Sequence, residues 1–269
     1  MSLEAKYYEA PEFWEEGILT NSGNLRRIDE TIAMVPPDVR TLLDAGCGNG
    51  VFANRLARAR RDIEVTAVDR SQAALAHVTT TKFTADITDI PRPDKSFDAV
   101  SCLQVLEHIQ HQHYARALRE LARVSRRYLV IGVPFQENLV RDFTRCPKCL
   151  SSFNLNFHFR SYDSNTIEKM FEPYGFVCRL QHNIAPIRVV YGHKLYGKLR
   201  VAVRKAPTNF ASPLCPVCGY ENQNFLAPKE YAREGAPMRR NWLKRLVKQV
   251  WPKYYVPGYW SVALFESRP

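Results

Sequence analysis

The chain has 269 residues, of which 45% are apolar, so it is long enough for one large α/β domain or for one domain with a small appended module. It contains no stretch near the roughly 18 uninterrupted apolar residues of a membrane-spanning helix, and its acidic, aromatic N-terminus lacks a secretory signal pattern, so we expect a cytoplasmic location. The net charge of +11 is uneven, because residues 1–140 carry 17 Lys/Arg against 19 Asp/Glu, whereas residues 141–269 carry 21 against 8.

Apolar positions at helical spacing predict a first helix over residues 24–35, which Pro36 and Pro37 end. Strand and helix patterns then alternate up to residue 134. Strands are predicted at 41–45, 63–68, 82–86, 97–103 and 128–134, and helices at 51–59, 71–78 and 114–124. Such alternation predicts an α/β fold, a doubly wound and mostly parallel sheet with helices on both faces.

The alternation stops after Pro134. We predict a helix over 164–176, capped by Ser164 or Asp163 and closed by Gly175, and a strand over 176–184. An irregular segment, a short basic helix and a final strand follow at 185–240, 242–251 and 259–266. The predicted divisions are an N-terminal helical lid (1–36), a core (37–140 and 155–184), an insertion that contains two Cys-Pro-x-Cys pairs (141–154 and 185–240) and a C-terminal part with the basic helix and last strand (241–269).

Three glycines at alternate positions, Gly46, Gly48 and Gly50, separate the first buried strand from the next helix. Glycines in such a turn let the backbone approach a ligand closely, and the start of the helix offers free N–H groups. Asp69 ends the second strand 19 residues after Gly50, where a carboxylate can accept hydrogen bonds from ribose hydroxyls. The pattern predicts a nucleotide site, and residues 48–53 also fit the G-x-G-x-x-A motif of NAD-binding domains.

Further acids favour a ligand with amine, ribose and adenine N–H groups over a pyrophosphate. Asp44 closes the first strand, Asp86 closes the third, and residues 96–109 lead the fourth strand to the same edge. Because ligands bind at the carboxyl ends of strands in such sheets, we expect these acids to converge.

These residues resemble the class I S-adenosylmethionine-dependent methyltransferases, of the methyltransferase-11 and ubiquinone O-methyltransferase-like subgroup. The resemblance is strong over roughly residues 40–135 and weaker over 155–184 and 255–267. It rests on DAGCGNG (44–50), VDRS (68–71), ADITDIP (85–91) and FDAVSCLQVLEHI (97–109). The family implies a seven-stranded sheet whose last strand is antiparallel, and S-adenosylmethionine as the cofactor.

The resemblance also implies the cofactor contacts. The glycines would cradle the methionine part near Asp44, Asp69 would hold the ribose, and Asp86 with Ile87 would contact the adenine. Leu103 and Gln104 would line the methyl-transfer site. The full implied set is Asp44, Gly46, Gly48, Gly50, Asp69, Arg70, Asp86, Ile87, Leu103 and Gln104.

Methyl transfer to a hydroxyl requires a base, and an imidazole suits neutral pH. The catalytic candidates are Glu107, His108 and His158, with the alternative that Glu107 and His108 only brace their loop. In ubiquinone-type enzymes an E-x-x-E-H run is associated with a divalent metal. Gln104 replaces the first acid of that run here, so we do not include a catalytic metal among the predicted cofactors.

Aromatic residues near the N-terminus, Tyr7, Tyr8, Phe13 and Trp14, form a lid over the cofactor in one interpretation. Their π faces would attract a sulfonium cation. In the other interpretation this segment packs on the edge of the sheet.

Four of the seven cysteines form two Cys-Pro-x-Cys pairs, Cys146 with Cys149 and Cys215 with Cys218. Two such turns predict a structural zinc site with a closed shell of four thiolates. The 65 residues between the pairs exceed the usual zinc-ribbon spacing of about 15–20, so the fold must bring the pairs together. Redox-active or unrelated cysteines are the alternative.

The basic C-terminal half is compatible with anionic partners or with a surface that only increases solubility. Residues 242–251 have the pattern of a basic amphipathic helix, which either contacts a membrane surface or docks on the domain. We expect an O-methyltransferase acting on a small-molecule, glycan or lipid-linked acceptor, peripheral at the membrane if the helix binds lipid. The alternatives are an RNA methyltransferase, with nucleic acid bound by the zinc knuckle and the basic half, and a non-catalytic cofactor-binding protein.

Overall fold

The computed structural model describes residues 8–9, 14, 22–137, 139, 143–154, 156–184, 188–191, 215, 217–220, 253–256 and 260–268. The chain divides into two compact units, which we call the core unit and the cysteine unit. The core unit comprises Met1–Leu139, Phe157–Pro186 and Gly258–Pro269, and the cysteine unit comprises Val140–Asn156 and Ile187–Pro257.

Helices and strands alternate through the first part of the core unit. The helices are α1 (Ser22–Ala33), α2 (Val51–Ala59), α3 (Gln72–Leu75), α4 (His111–Val124) and α5 (Ser164–Lys169), with short 3₁₀ turns at Leu106–His108 and Glu172–Tyr174. The strands are β1 (Thr41–Ala45), β2 (Glu64–Asp69), β3 (Thr81–Thr84), β4 (Phe97–Leu103), β5 (Ser125–Pro134), β8 (Phe176–Ile184) and β11 (Trp260–Ser267).

These seven strands form one sheet in the order β3-β2-β1-β4-β5-β11-β8. Neighbouring pairs from β3 to β5 are parallel, whereas β11 runs antiparallel to both β5 and β8. The predicted α/β fold with a mostly parallel seven-stranded sheet and an antiparallel last strand is therefore confirmed. The strand order reverses between β1 and β4, and ligands bind in the crevice beyond the strand ends at such a point.

The central strands are apolar on both faces because helices cover each side. In β1, for example, Leu42 packs into one buried cluster with Phe52 and Leu56 of α2, whereas Leu43 packs into the other with Leu118 and Leu121 of α4. The sheet thus carries a hydrophobic layer on each face, and its strand ends are held in fixed register.

Three predicted elements are shorter in the structure than the sequence pattern indicated. Strand β3 ends at Thr84, and the predicted helix over 71–78 reduces to α3, which Ser71 caps by accepting a hydrogen bond from the Ala74 N–H at 3.1 Å. The predicted helix over 164–176 ends at Lys169, since Pro173 lies in a separate 3₁₀ turn that Gly175 closes at φ +85°. Its N-cap is Asp163, not Ser164.

The cysteine unit contains two short antiparallel strand pairs among its described residues. Strands β6 (Phe143–Arg145) and β7 (Ser152–Asn154) pair antiparallel, as do β9 (Arg188–Tyr191) and β10 (Lys253–Val256). The prediction that 185–240 is irregular throughout is wrong at β9. The predicted basic helix at 242–251 lies outside the described residues, and no helix in the described part of the chain has the length and apolarity to cross a membrane.

Candidate functional site

The turn after β1 is built by left-handed glycines. Gly46, Gly48 and Gly50 have φ values of +73°, +53° and +73°. The backbone N–H groups of Gly46 and Cys47 both donate to the Val68 carbonyl, at 2.8 and 3.0 Å, which ties the turn to the end of β2. Side-chain-bearing residues rarely adopt these angles, so the turn depends on glycine for its shape.

The glycine turn is also crowded. A Cβ atom would lie 2.6 Å from a Val105 methyl group at Gly46 and 2.7 Å from a Val78 methyl group at Gly50. At Gly48 a Cβ would lie 2.8 Å from the Trp14 ring. Glycine is therefore required at these positions by space as well as by backbone angle.

Asp44 lies at the end of β1, only 2% exposed. Its Oδ1 accepts a hydrogen bond from the Ser101 hydroxyl on β4 at 2.8 Å. Burial raises the pKa of this carboxyl to about 7, the Ser101 hydrogen bond opposes the shift, and the nearby Asp69 charge adds to it. A buried carboxylate in this state favours a cationic group as its ligand.

Asp69 ends β2 and shapes the turn from the other side. Its two carboxylate oxygens accept hydrogen bonds from the N–H groups of Gly48 at 2.8 Å and Ser71 at 2.9 Å. Burial raises its pKa, against the effect of these backbone hydrogen bonds. Each carboxylate oxygen has a second lone pair, so Asp69 can hold the turn and still accept from a ligand hydroxyl.

The remaining predicted cofactor residues differ in how exposed they are and in what they contact. Asp86 is exposed and bonds the Thr88 N–H and hydroxyl, both at 2.8 Å, while Ile87 beside it is 5% exposed. Arg70 is exposed, with its guanidinium 5.4 Å from the Tyr8 ring centroid. Leu103 ends β4 partly buried, near Gly132 of β5.

Gln104 follows β4 with a left-handed backbone at φ +59°. Its N–H donates to the Gly132 carbonyl at 2.8 Å, and its buried Nε2 makes no hydrogen bond among the described residues. A strained backbone and an unsatisfied buried donor are features of binding sites, because a ligand there supplies the missing acceptor.

The Trp14 side chain of the predicted lid reaches the glycine turn, and the Tyr8 ring lies beside it with the two ring centroids 6.2 Å apart. Trp14 packs against Gly48, its indole N–H donates to the Tyr8 carbonyl at 2.6 Å, and its own carbonyl accepts from the Asn49 amide at 3.3 Å. The Ser71 hydroxyl also donates to the Tyr8 carbonyl, at 2.8 Å. Tyr7 and Phe13 lie outside the described residues. The lid itself remains a prediction.

The three predicted catalytic residues lie together. A carboxylate oxygen of Glu107 and a ring nitrogen from each of His108 and His158 all lie within 4.8 Å of one another. The two imidazoles meet edge to face with centroids 4.6 Å apart, and His108 Nδ1 is 3.2 Å from the Tyr8 hydroxyl. By contrast, His111 and His113 at the start of α4 are exposed.

Glu107 is the most buried of the three, at 1% exposure. Neither of its carboxylate oxygens makes a hydrogen bond within the described part of the chain. Burial raises its pKa to about 7, while the nearby His158 and Arg27 lower it and Glu137 raises it. Such a carboxyl exchanges its proton near neutral pH, as a group in a reaction site does.

Sequence reasoning did not identify Glu137, which joins this cluster just after β5. Its Oε2 lies 2.5 Å from His158 Nδ1. No motif contains Glu137, and its only sequence signal is its place a few residues beyond the end of a buried strand, the edge at which ligands bind.

The cysteine unit brings the two Cys-Pro-x-Cys pairs together. The Sγ atoms of Cys146 and Cys218 are 3.7 Å apart, as are those of Cys149 and Cys215, and all four sulfurs lie within 4.8 Å of one another. Four thiolates at about 2.3 Å from a tetrahedral zinc ion lie about 3.8 Å apart. The sulfur positions therefore fit a zinc ion.

A doubly wound sheet in this strand order, with a glycine turn after β1 and carboxylates at the ends of β1 and β2, defines a class I methyltransferase fold. Residues 43–129 match the family model described as a methyltransferase domain. The chain is therefore similar to this family over the residues that run from β1 into β5.

A probable S-adenosylmethionine-dependent methyltransferase of Mycobacterium tuberculosis is 34% identical over 154 residues, which cover 53% of this chain and 52% of that protein. The 27-O-demethylrifamycin SV methyltransferase of Amycolatopsis mediterranei is 32% identical over 127 residues, covering 42% of this chain and 46% of its own. The chain thus spans about half the length of the curated relatives it matches.

Among solved structures, the chain is similar to the magnesium protoporphyrin IX methyltransferase of Synechocystis with bound SAH. The TM-score is 0.53 at 18% identity, and the match covers 68% of this chain and 93% of that one. At this identity the likeness supports the fold alone.

Proposed function

We propose that the protein is an S-adenosylmethionine-dependent methyltransferase. The observation that carries the proposal is the glycine turn held by Asp69, with Asp44 buried beside it at the end of β1. This arrangement offers a close backbone approach and two carboxylates at one edge of the sheet, which suits a ligand with an amine and a ribose.

In this proposal each residue has a separate task. Asp44 pairs with the amino group of the cofactor, the three glycines line its methionine part, and Asp69 accepts from its ribose. Asp86 and Ile87 meet the adenine, while Leu103 and Gln104 border the transferred methyl group. When bound, S-adenosylmethionine supplies a methyl group already activated on a sulfonium, so the chain has to position the acceptor, exclude water and remove a proton.

The proposed reaction is O-methylation of a small-molecule acceptor, with a glycan or lipid-linked molecule as the finer hypothesis. A hydroxyl must lose its proton when it is methylated, and an imidazole can accept that proton. The cluster with two imidazoles therefore supports a hydroxyl as the acceptor. The similarity to an enzyme named for a 27-O-demethyl substrate is in line with this choice.

The test uses purified protein, methyl-labelled S-adenosylmethionine and a cell extract, followed by separation into organic, glycan, RNA and protein fractions. We expect label in the organic or glycan fraction, and none when Asp69→Asn replaces the wild type. Label in RNA would overturn the acceptor class and make the basic C-terminal half the binding surface. No transfer from any extract, despite cofactor binding, would favour a non-catalytic binding protein.

We further propose that Cys146, Cys149, Cys215 and Cys218 hold one structural zinc ion. Support comes from the sulfur separations and from the donor set, which leaves no open position for catalysis. Metal analysis should give one zinc per chain in the wild type and a loss in Cys149→Ser. Cys178→Ser removes a cysteine of the core unit and serves as the matched control with unchanged zinc. Equal zinc content in all three proteins contradicts the proposal.

A further inference from the structure

We propose that Glu137 and His158 form a dyad in which His158 is the general base that deprotonates the acceptor hydroxyl and Glu137 is its positioning residue. The inference rests on the proposed methyl transfer. The Glu137 carboxylate contacts His158 Nδ1 at 2.5 Å, and the two side chains are only 3% and 10% exposed. A buried pair in such close contact fixes the orientation of the imidazole ring.

The backbone is built to hold this pair. An isolated parallel bridge joins Phe135 to Tyr162, and the Gln136 N–H donates to the Tyr162 carbonyl at 2.8 Å. These contacts fix the segment that carries His158 against the segment that carries Glu137, just beyond the end of β5.

The same segment is tied to the 3₁₀ turn that carries Glu107. The Phe159 N–H donates to the Glu107 carbonyl at 2.8 Å, and the Arg160 guanidinium donates to the carbonyls of Leu106 at 3.0 Å and Ile109 at 2.6 Å. His158 is thereby held on both sides, next to the point at which β4 ends.

Strained backbone occurs immediately before both members of the dyad. Gln136 precedes Glu137 at φ +48°, and Phe157 precedes His158 at φ +56°. Left-handed angles at residues with side chains are strained and persist where the surroundings impose them. Because neither residue is a glycine, both conformations are strained, and each one immediately precedes a side chain of the dyad.

The hydrogen bond also fixes which nitrogen can act. An ionised carboxylate only accepts, so Nδ1 of the neutral imidazole carries the hydrogen and Nε2 keeps its lone pair. When the acceptor oxygen attacks the methyl carbon, the C–S bond breaks with its electron pair going to sulfur, and the hydroxyl proton moves to Nε2. The resulting imidazolium is stabilised by Glu137 in direct contact and by Glu107 within 4.8 Å.

The geometry favours His158 over the other candidates. His108 Nδ1 instead lies 3.2 Å from the Tyr8 hydroxyl, a group that can either donate or accept. Glu107 is 1% exposed, buried more deeply than either imidazole, and one of its carboxylate oxygens lies within 4.8 Å of a His158 ring nitrogen. It serves as electrostatic support for the imidazolium.

The test compares Glu137→Gln, Glu137→Asp and His158→Gln with His113→Gln, which removes an exposed imidazole from α4. In Glu137→Gln the amide can donate to Nδ1 and moves the hydrogen to Nε2, the wrong tautomer for a base. Nitrogen-15 NMR of the histidines should show Nδ1–H in the wild type and Nε2–H in Glu137→Gln, without any acceptor present.

Activity is measured on the labelled fraction of the extract. We expect kcat to fall about 100-fold or more in His158→Gln and about as much in Glu137→Gln, with partial recovery in Glu137→Asp and unchanged affinity for S-adenosylmethionine. His113→Gln should retain full activity.

Two results would overturn the dyad while leaving the methyltransferase itself in place. One is an unchanged His158 tautomer in Glu137→Gln together with full kcat. The other is activity that EDTA abolishes and magnesium restores, which would assign the deprotonation of the acceptor to a cation bound by the cluster. A wild type that transfers no label, yet shows the expected tautomers, would instead contradict the proposed function.

Discussion

Burial of the Asp44 carboxyl links the stability of the folded protein to pH and to the binding of a cationic ligand. Its carboxyl is buried and its folded-state pKa of about 7 lies above the unfolded value, so the folded protein holds a proton that the unfolded chain releases. The stability contributed by the protonated form is complete below about pH 4 and is lost as the pH rises toward 7. Above that pH the buried charge destabilises the protein until a cationic ligand neutralises it.

Asp44→Asn should remove this pH dependence while keeping the hydrogen bond from Ser101. We expect the cofactor-free variant to be more stable than wild type at pH 8, by up to about 4 kcal/mol, and similar at pH 4. Its affinity for S-adenosylmethionine should fall at least about tenfold. Thermal melts across this range and calorimetric titration measure both effects. A variant less stable at pH 8 would show that Asp44 is not a buried charge.

A second residue-scale prediction separates backbone strain from crowding. Gly50 and Gly175 both have left-handed φ values, +73° and +85°, but only Gly50 has a neighbour that a Cβ would strike, Val78 at 2.7 Å. Gly175→Ala should cost about 1 kcal/mol from backbone strain alone. Gly50→Ala should cost about 1–3 kcal/mol more, because Val78 must move. Urea unfolding measures the difference, and equal losses would contradict the crowded turn.

The residues of the candidate site differ in how well the sequence alone predicts them. The glycines and Asp69 are predictable because their spacing is local and tied to a strand–turn–helix pattern. Glu137 is not, because its significance comes from a contact with His158 across 21 residues of sequence, and no periodicity encodes such a contact.

At the scale of elements, the two cysteine turns repeat one backbone design. The N–H of Cys146 bonds the Ser151 carbonyl and that of Cys215 bonds the Tyr220 carbonyl, both at 2.9 Å. The residue after the second cysteine is left-handed in each turn, Leu150 at φ +61° and Gly219 at φ +70°. The first turn thus places a leucine where the second has a glycine.

This asymmetry predicts different responses to substitution. Leu150→Gly and Leu150→Ala both remove an exposed side chain, but only glycine relieves the left-handed strain, which is worth about 1 kcal/mol. Zinc loss to a chelator should therefore be slower in Leu150→Gly than in Leu150→Ala. Gly219→Ala should accelerate it. Indistinguishable rates for the two Leu150 variants would mean that strain in this turn does not limit zinc binding.

Elements were predicted best where periodicity and packing agree. Strands β1, β2, β4 and β5 fall within a few residues of their predicted bounds because buried strands read as apolar runs. The helix predicted at 71–78 shortens to α3, which ends at Leu75, and Thr79 and Thr80 then lead into β3. Strand β9 was missed because its pairing with β10 spans more than 60 residues of sequence.

At the scale of the whole molecule, the chain consists of a core unit that carries the glycine turn and the histidine cluster, and a cysteine unit that carries the four clustered cysteines. Local patterns identify the core unit because its sheet is assembled from consecutive βα repeats. The cysteine unit is assembled from two distant segments, so its sequence predicts that the two cysteine pairs meet but not the strand pairing of β9 with β10.

The central claim is that the glycine turn and its carboxylates bind S-adenosylmethionine. Titration calorimetry of the purified chain with S-adenosylmethionine and, separately, with NAD tests it most directly, because the same turn also fits the dinucleotide motif. We predict one site for S-adenosylmethionine, a large loss of affinity in Asp69→Asn, and no binding of NAD. Binding of NAD in preference to S-adenosylmethionine would contradict the account.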